Sequence, residues 1–348
     1  MTTLRINYLM FRMIQHDGYG RYGLAQIKAL ARAGVDIYPD HVISLETPGW
    51  VQRLRGLDFS RLTVSLMPPN ELRALPTRQW CSTMYETTQL PVGWSQHINQ
   101  KAERVIVPCE WCADVFRANG VLKNIPIDVA PGGVDPDEFP VLIERPAHFA
   151  QPYTFLTFGD RGSRKGSDKT MQAFYLAFGD NPDVRLVIKT VENELPHLCT
   201  ARVRDDAGNV IGDPRISLWR ENAPSLSDVF AFVDCVVNPT RGEGWGSLPR
   251  EAACSGLPVI CTRWSGTAVG IDHWAIPLDD FKLVGARIRG GGQWAEPSAD
   301  EVAEKMRWCY EHQAEARQLG LNAATWLRAN QTWAHSATAL MELLETWG

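Results

Sequence analysis

Two glutamates, Glu243 and Glu251, stand eight positions apart in the stretch RGEGWGSLPREAACSGLPVI, Arg241 to Ile260. A carboxylate's paired oxygens are shaped to accept two hydrogen bonds from a cis-diol such as that of a ribose. Glycines crowd Glu243, so Gly244, Trp245, Gly246, Ser247 and Leu248 would offer backbone amides to a ligand that comes close. Glu251 follows Pro249 and belongs in the first turn of a helix, where any acid also complements the helix dipole. A second constellation, GDRGSRKGSDK from Gly159 to Lys169, sets Arg161, Arg164 and Lys165 among glycines. Outward-pointing amides, a helix N-terminus and two or three cations make an anion site, and a diphosphate suits it.

A third cluster, GYGRYG from Gly18 to Gly23, matches G-x-G-x-x-G. It would seat a dinucleotide's pyrophosphate, with Asp36 or Asp40 on the ribose, in a nicotinamide-dependent oxidoreductase. It equally serves as a bare loop that lets any ligand or a facing domain approach. The residues RMIQHD, between the first strand and Gly18, weaken the dinucleotide reading. Cys109 and Cys112 form C-x-x-C at a helix start, where a redox pair would gain thiolate character. Capping and packing that helix is the plainer role. No histidine or second cysteine pair stands at zinc-ligand spacing, so no metal site is expected.

These clusters need strands and helices to position them. INYLMF reads as a strand and VDIYP as another. Between them LAQIKALARAG reads as a helix with Leu24, Ile27, Leu30 and Ala31 on one face, closing on Gly34. RVIVP, a helix from Cys109 and IDVA continue the alternation. A fresh cycle opens with YTFLTF, Tyr153 to Phe158, then the basic loop, then a helix SDKTMQAFYLAF with Ser167 as N-cap. VRLVI, CVVNP, a helix after Ser247 and PVICT follow. Repeated β-α-β units predict an α/β protein with parallel sheets covered on both faces. The Pro-rich FPVLIERPAHFAQP, Phe139 to Pro152, interrupts the rhythm and reads as a linker between domains 1–147 and 148–330. The last helix, within 331–348, must dock on something. The expected architecture is two Rossmann-like, doubly wound domains facing across a cleft, with ligands at the carboxyl ends of the strands.

A chain of 348 residues supports two such cores, and 45% hydrophobic with 22% charged residues is a globular composition. Net charge is −5, and residues 1–147 balance 15 basic against 15 acidic side chains, so no global field draws it to nucleic acid or anionic lipid. No apolar run approaches the ~20 residues of a membrane span, and MTTLRINYLMFRMIQHDG lacks a signal-peptide core. Eight scattered cysteines, several inside apparent strands, are the pattern of buried thiols in a cytoplasmic protein.

Taken in order, the motifs resemble a known family. EGWGSLPRE has the E-x7-E spacing of retaining glycosyltransferases of the GT-B fold, family four. RGEGWGSLPREAACSGLPVICTRWSGT is similar to its signature run, and FGDRGSRKGSDKTMQAF to its diphosphate loop. VAPGGVDPDEFP resembles the usual end of its N-terminal domain, and GYGRYGLAQIKALARAGVDIYP its opening glycine loop and helix. The matched pieces span about residues 14 to 295.

The resemblance implies a sugar transferase. Residues 1–147 would bind the acceptor and 148–330 a nucleotide diphosphate sugar, with 331–348 packing back on the first domain. Glu251 would hold the ribose, and Glu243 with the Gly244–Leu248 amides the donor sugar. Lys165 would hold the diphosphate. Asp160 stands where the family often has an arginine, so Arg161 or Arg164 would supply that charge. Gly18 and Gly20 fall on the donor side, and His16, Asp17 and Glu86 are the acceptor-side candidates. Asp135-Pro136-Asp137, a look-alike of a metal-binding D-x-D, lies in the interdomain segment and reads as turn chemistry. No cofactor or metal is expected beyond the nucleotide sugar. The acceptor class stays open among a glycan, a lipid, a small molecule, a protein and a modified nucleic acid base. A nicotinamide oxidoreductase built on Gly18, Gly20 and Gly23, and a non-catalytic nucleotide-sugar-binding protein, are the rival readings.

Overall fold

A computed structural model describes residues 4–10, 18–39, 57–58, 60–142, 152–160, 163–190, 212–220 and 225–346. The chain divides into two compact units. One comprises Met1–Asp135, Arg289–Gly292 and Asn330–Gly348, the other Pro136–Ile288 and Gln293–Ala329.

In the first unit β1 (Arg5–Met10) leads to α1 (Gly18–Arg32), β2 (Asp36–Pro39), β3 (Thr63–Leu66) and β4 (Gln79–Ser82). Then come α2 (Trp94–Lys101), β5 (Arg104–Val107), α3 (Glu110–Ala118) and β6 (Ile127–Val129). All six strands run parallel in the order β2-β1-β3-β4-β5-β6. Every residue of β3 and β4 is buried, as strands covered on both faces require. Helix α1 buries Tyr22, Leu24, Ile27 and Leu30. Ala31, expected on that face, is exposed in the last turn together with Arg32, Ala33 and Gly34.

The expected glycine loop GYGRYG is instead helical, forming the opening turns of α1. The dinucleotide fingerprint needs a tight turn before the helix, and here there is none at Gly18. Gly23 serves helix-on-sheet packing: a Cβ there would press on the Met10 and Leu66 side chains, at 2.6 and 2.8 Å.

The second unit holds β7 (Tyr153–Phe158), α4 (Ser167–Phe178), β8 (Val184–Lys189), β9 (Ile216–Trp219), α5 (Leu226–Phe230) and β10 (Cys235–Asn238). It continues with α6 (Ser247–Cys254), β11 (Val259–Thr262), α7 (Ile271–Trp274) and β12 (Ile276–Leu278). The hairpin β13 (Phe281–Gly285) and β14 (Gln293–Pro297) precedes α8 (Ala299–Glu311) and α9 (Gln313–Asn330). Its six-stranded sheet is also all parallel, in the order β12-β11-β10-β7-β8-β9. Phe155, Phe174 and Phe178 meet Val302 and Met306 in its core. Burying each such aromatic contributes about 2–3 kcal/mol.

Two expectations about helix starts change here. Gly166, with φ of 76°, caps α4, and Ser167 is the first helical residue. A Cβ at Gly166 would collide with the Pro239 carbonyl, so only glycine allows this approach. Glu251 is the fifth residue of α6, past the first turn, where the helix dipole has largely faded.

The final helix, α10 (Trp333–Thr346), belongs to the first unit. It packs on α1, with the Trp333 ring edge-on to Tyr22 at 4.8 Å and Gln26 Nε2 donating to Ser336 Oγ at 3.4 Å. Cys109 caps α3, and both Cys109 and Cys112 are buried. A hydrogen bond with Cys109 and burial hold the Cys112 thiol well above its usual range, so it carries no thiolate character. Asp135 accepts from Lys28 Nζ at 2.6 Å.

Candidate active site

In the second sheet the chain runs β7-β8-β9 to one side and β10-β11-β12 to the other. The order therefore reverses between β7 and β10. In doubly wound sheets ligands bind at such a switch point, beyond the carboxyl ends of the strands. The loops leaving those two strands converge there. Arg241 N donates to the Arg164 carbonyl at 2.7 Å, as does Thr240 Oγ1 at 3.2 Å. Arg164 Nη1 returns a bond to the Gly242 carbonyl at 2.7 Å.

The result is one buried carboxylate between two cations. Lys165 Nζ lies 2.6 Å from Glu243 Oε1, and Arg164 Nη1 lies 3.0 Å from Oε2. Thr240 Oγ1 adds a bond to Oε1 at 3.3 Å. Burial by itself would raise the Glu243 pKa. The charges of Arg164 and Lys165, with their hydrogen bonds, outweigh it and bring the carboxyl down to about 2. Asp160 faces Arg164 at 3.9 Å and accepts from Lys165 N at 3.3 Å.

The backbone of Glu243 is tied to a third loop, the one leaving β11. Glu243 N donates to Ser265 Oγ at 3.0 Å, and Gly266 N donates to the Glu243 carbonyl at 2.9 Å. Behind these loops Arg250 is fully buried, its guanidinium 4.0 Å from the Trp245 ring and 4.5 Å from the Trp274 ring. It donates to the carbonyls of Trp245 and Gly246, and to those of Gly266 and Val269 at 3.0 Å. The cation thus pulls carbonyls of two loops inward. Gly246, with φ of 84°, then caps α6. A Cβ on it would meet Thr267 Cγ2 at 2.6 Å.

A family model described as family 4 glycosyltransferase in conflict systems matches residues 109–340, more than half of the chain. The chain belongs to that family. The D-inositol 3-phosphate glycosyltransferase of Pseudarthrobacter chlorophenolicus is 33% identical over 153 residues, 42% of this chain and 36% of that protein. The protein of that name from an Arthrobacter species is 32% identical over 158 residues, with the same coverage of 42% and 36%. The match thus spans 36% of these relatives' own length. A glycosyltransferase structure from Rickettsia africae superposes with a TM-score of 0.74 at 13% identity, covering 99% of both chains. Anabaena HepE in complex with UDP and glucose superposes with a TM-score of 0.70 at 11% identity, covering 98% of this chain and 99% of that one. The two parallel sheets with their helices are the GT-B fold.

Within this family-4 chain the structure brings Glu243, Lys165 and Arg164 into direct contact. Gly244 and Trp245 lie buried beside them, and Ser247 and Leu248 are half-buried at the start of α6. Trp245 is only 1% exposed, and its ring lies 4.0 Å from the Arg250 guanidinium. Glu251 is buried within α6. Gly18, Gly20 and Glu86 lie in the first unit. There the hydroxyl of Tyr19, between the two glycines, donates to the Met84 carbonyl at 3.1 Å, two residues before Glu86. Arg161, His16 and Asp17 lie outside the described residues. Among the described residues no three His, Cys, Asp or Glu side chains are grouped to hold a metal. No described helix is long and apolar enough to cross a membrane.

Sequence reasoning missed Arg241, Arg250, Thr240 and Ser265. An arginine directly before Glu251, between the glycine-rich turn and the helix, was the available signal for Arg250. Ser265 offered none.

Replacing Glu251 with alanine is expected to weaken nucleoside diphosphate binding roughly ten- to a hundredfold, the loss of charge-assisted bonds worth ~1.5–3 kcal/mol. Calorimetric titration checks it. A variant that binds nucleotide as the parent does would leave Glu251 a packing residue of α6.

Proposed function

We propose that this chain transfers a sugar from a nucleoside diphosphate sugar to an acceptor, with retention of anomeric configuration and without a metal. The observation that carries the reading is buried Glu243 held between Lys165 and Arg164 at the switch point of the second sheet. Departure of the diphosphate builds negative charge on its oxygens, and two fixed cations beside a helix N-terminus stabilise that charge. They do the work a metal ion would otherwise do. Oε1 of Glu243 accepts from both Lys165 and Thr240, whereas Oε2, paired with Arg164, keeps a lone pair that can accept a sugar hydroxyl, and Glu251 would take the ribose diol. Gly18 and Gly20 on the donor side and Glu86 on the acceptor side are the first unit's candidates.

Retention has its own support. Inversion needs a general base near the acceptor, with a pKa matched to neutral pH. A carboxyl held at about 2, as Glu243 is, makes a poor base. Asp160, Asp168 and Glu296 around the same loops are engaged with Arg164, Arg241 and Lys169. With those acids committed, the departing phosphate's own oxygen would take the acceptor proton, and Asp17 and Glu86 of the first unit are the acids whose replacement tests this.

UDP-glucose is the first donor to test, because the HepE structures hold UDP, UDP with glucose, and UDP-glucose. Nucleoside diphosphate release is followed from UDP-glucose, GDP-mannose and ADP-glucose, with and without excess EDTA. Early sugar products are read by proton NMR. The expected result is release that survives EDTA and an α-product from an α-donor. A β-product would overturn retention. Loss in EDTA restored by magnesium or manganese would overturn metal independence.

A further inference from the structure

Arg164 and Lys165 follow Ser163, whose φ of 59° lies in the left-handed region that a non-glycine residue seldom adopts. Such a turn persists only where its surroundings hold it. Gly166 N donates to the Ser163 carbonyl at 3.1 Å, and the side chain that holds the turn from outside is Arg241, 4% exposed. Its Nη1 donates to the Ser163 carbonyl, while Nη1 and Nη2 grip both oxygens of Asp168 at 2.8 and 2.7 Å. Asp168 sits in the first turn of α4, directly after the loop. On its other side the guanidinium meets Glu296 of β14, with Nη2 3.1 Å from Oε1, and Lys169 closes the network on Glu296 at 2.8 Å. The main chain completes the clamp, because Arg241 N donates to the Arg164 carbonyl.

We propose that Arg241 is a positioning residue for the donor's terminal phosphate, holding the Ser163 turn so that Arg164 and Lys165 converge on one point. The inference rests on the donor reading above. Arg241 is too buried to touch a ligand itself, and its fork geometry explains why arginine rather than lysine stands there. A planar guanidinium can bond a carbonyl and two carboxylates at once, and an ammonium is a single point charge. Loosening the turn costs whatever Arg164 and Lys165 hold, and spares what other residues hold. A terminal phosphate should therefore feel the change more than the rest of the nucleotide.

The test is calorimetric titration of UDP, GDP, ADP and TDP, each beside its monophosphate, on the parent chain and on Arg241→Met and Arg241→Lys. For the diphosphate that the parent binds, Arg241→Met is expected to weaken affinity at least tenfold. Monophosphate affinity should stay within about twofold, and Arg241→Lys should fall between. Should Arg241→Met not fold, Arg241→Lys and Glu296→Gln carry the same comparison with the charge or the shape retained. A folded variant whose diphosphate and monophosphate affinities fall by one factor, or whose diphosphate affinity does not fall, overturns the positioning role. A parent chain that binds none of the four diphosphates overturns the donor reading, and the positioning role with it.

Discussion

Replacing Glu243 with glutamine is expected to cost about 3 kcal/mol of stability at neutral pH, and a bound nucleoside diphosphate to return part of it. The first half follows from the depressed pKa. A carboxyl at about 2 in the folded chain, against an ordinary 4.5, stabilises the fold by about 1.4 kcal/mol per unit of difference. Because the folded value is the lower one, this stability is fully present above 4.5 and drains away as pH falls toward 2. The parent's advantage over Glu243→Gln should follow the same course, shrinking from pH 4.5 downward. The second half follows from charge. The glutamine variant leaves Lys165 and Arg164 facing each other with their shared anion removed, and breaking a buried pair this way costs about 3–5 kcal/mol. A diphosphate brings the missing negative charge. Thermal melts with and without UDP, GDP, ADP and TDP should show a larger ligand-induced rise for the variant than for the parent. A stability difference independent of pH between 7 and 3 would mean that shape rather than charge sets the role of Glu243.

How much of this was legible in the chain depends on where the physics is local. Strand β7 was readable to the residue from YTFLTF, since a short apolar run bounded by turn signals is what a strand buried on both faces looks like. The α/β class and the family followed from such runs and from the order of the glycine motifs. Strands β3 and β4 went unread, though they sit in the middle of the first sheet. Their sequences, TVSL and QWCS, carry polar residues at buried positions. Thr63 is tolerated there because its Oγ1 bonds Asn7 Nδ2 at 3.1 Å and Thr77 Oγ1 at 2.8 Å, partners far along the chain. Such satisfaction cannot be seen from one segment. The site divides the same way. The cations and the carboxylates each announced anion and diol chemistry, but Lys165 and Glu243 are 78 positions apart, and only the fold makes them a pair. The glycines read as openings for a ligand serve protein packing as well. Gly166 admits the Pro239 carbonyl, and Gly246 admits the Thr267 methyl group.

Replacing Lys165 with alanine is expected to lower turnover by a factor of about 10² to 10³, and to weaken nucleoside diphosphate affinity by a smaller factor of about ten. The two numbers differ because the diphosphate carries charge in the ground state and gains more as the bond to the sugar breaks. Only the part of an interaction that strengthens in the transition state appears in turnover. A preorganised cation in a site shielded from water is worth about 3–4 kcal/mol there, by analogy with a lost oxyanion donor. Stability should suffer less than in Glu243→Gln, because Arg164 remains 3.0 Å from the Glu243 carboxylate and keeps it paired. The double variant Lys165→Ala, Glu243→Gln separates the two parts Lys165 could play. If Lys165 served only to neutralise Glu243, removing both would recover most of the stability and most of the turnover that either single change loses, as coupled neighbours do. If it acts on the diphosphate, the double variant should regain stability while turnover stays at or below the level of Lys165→Ala. Single-turnover rates beside melting curves for the three variants decide between them. Recovery of turnover in the double variant would reduce Lys165 to a counterion and remove it from the chemistry.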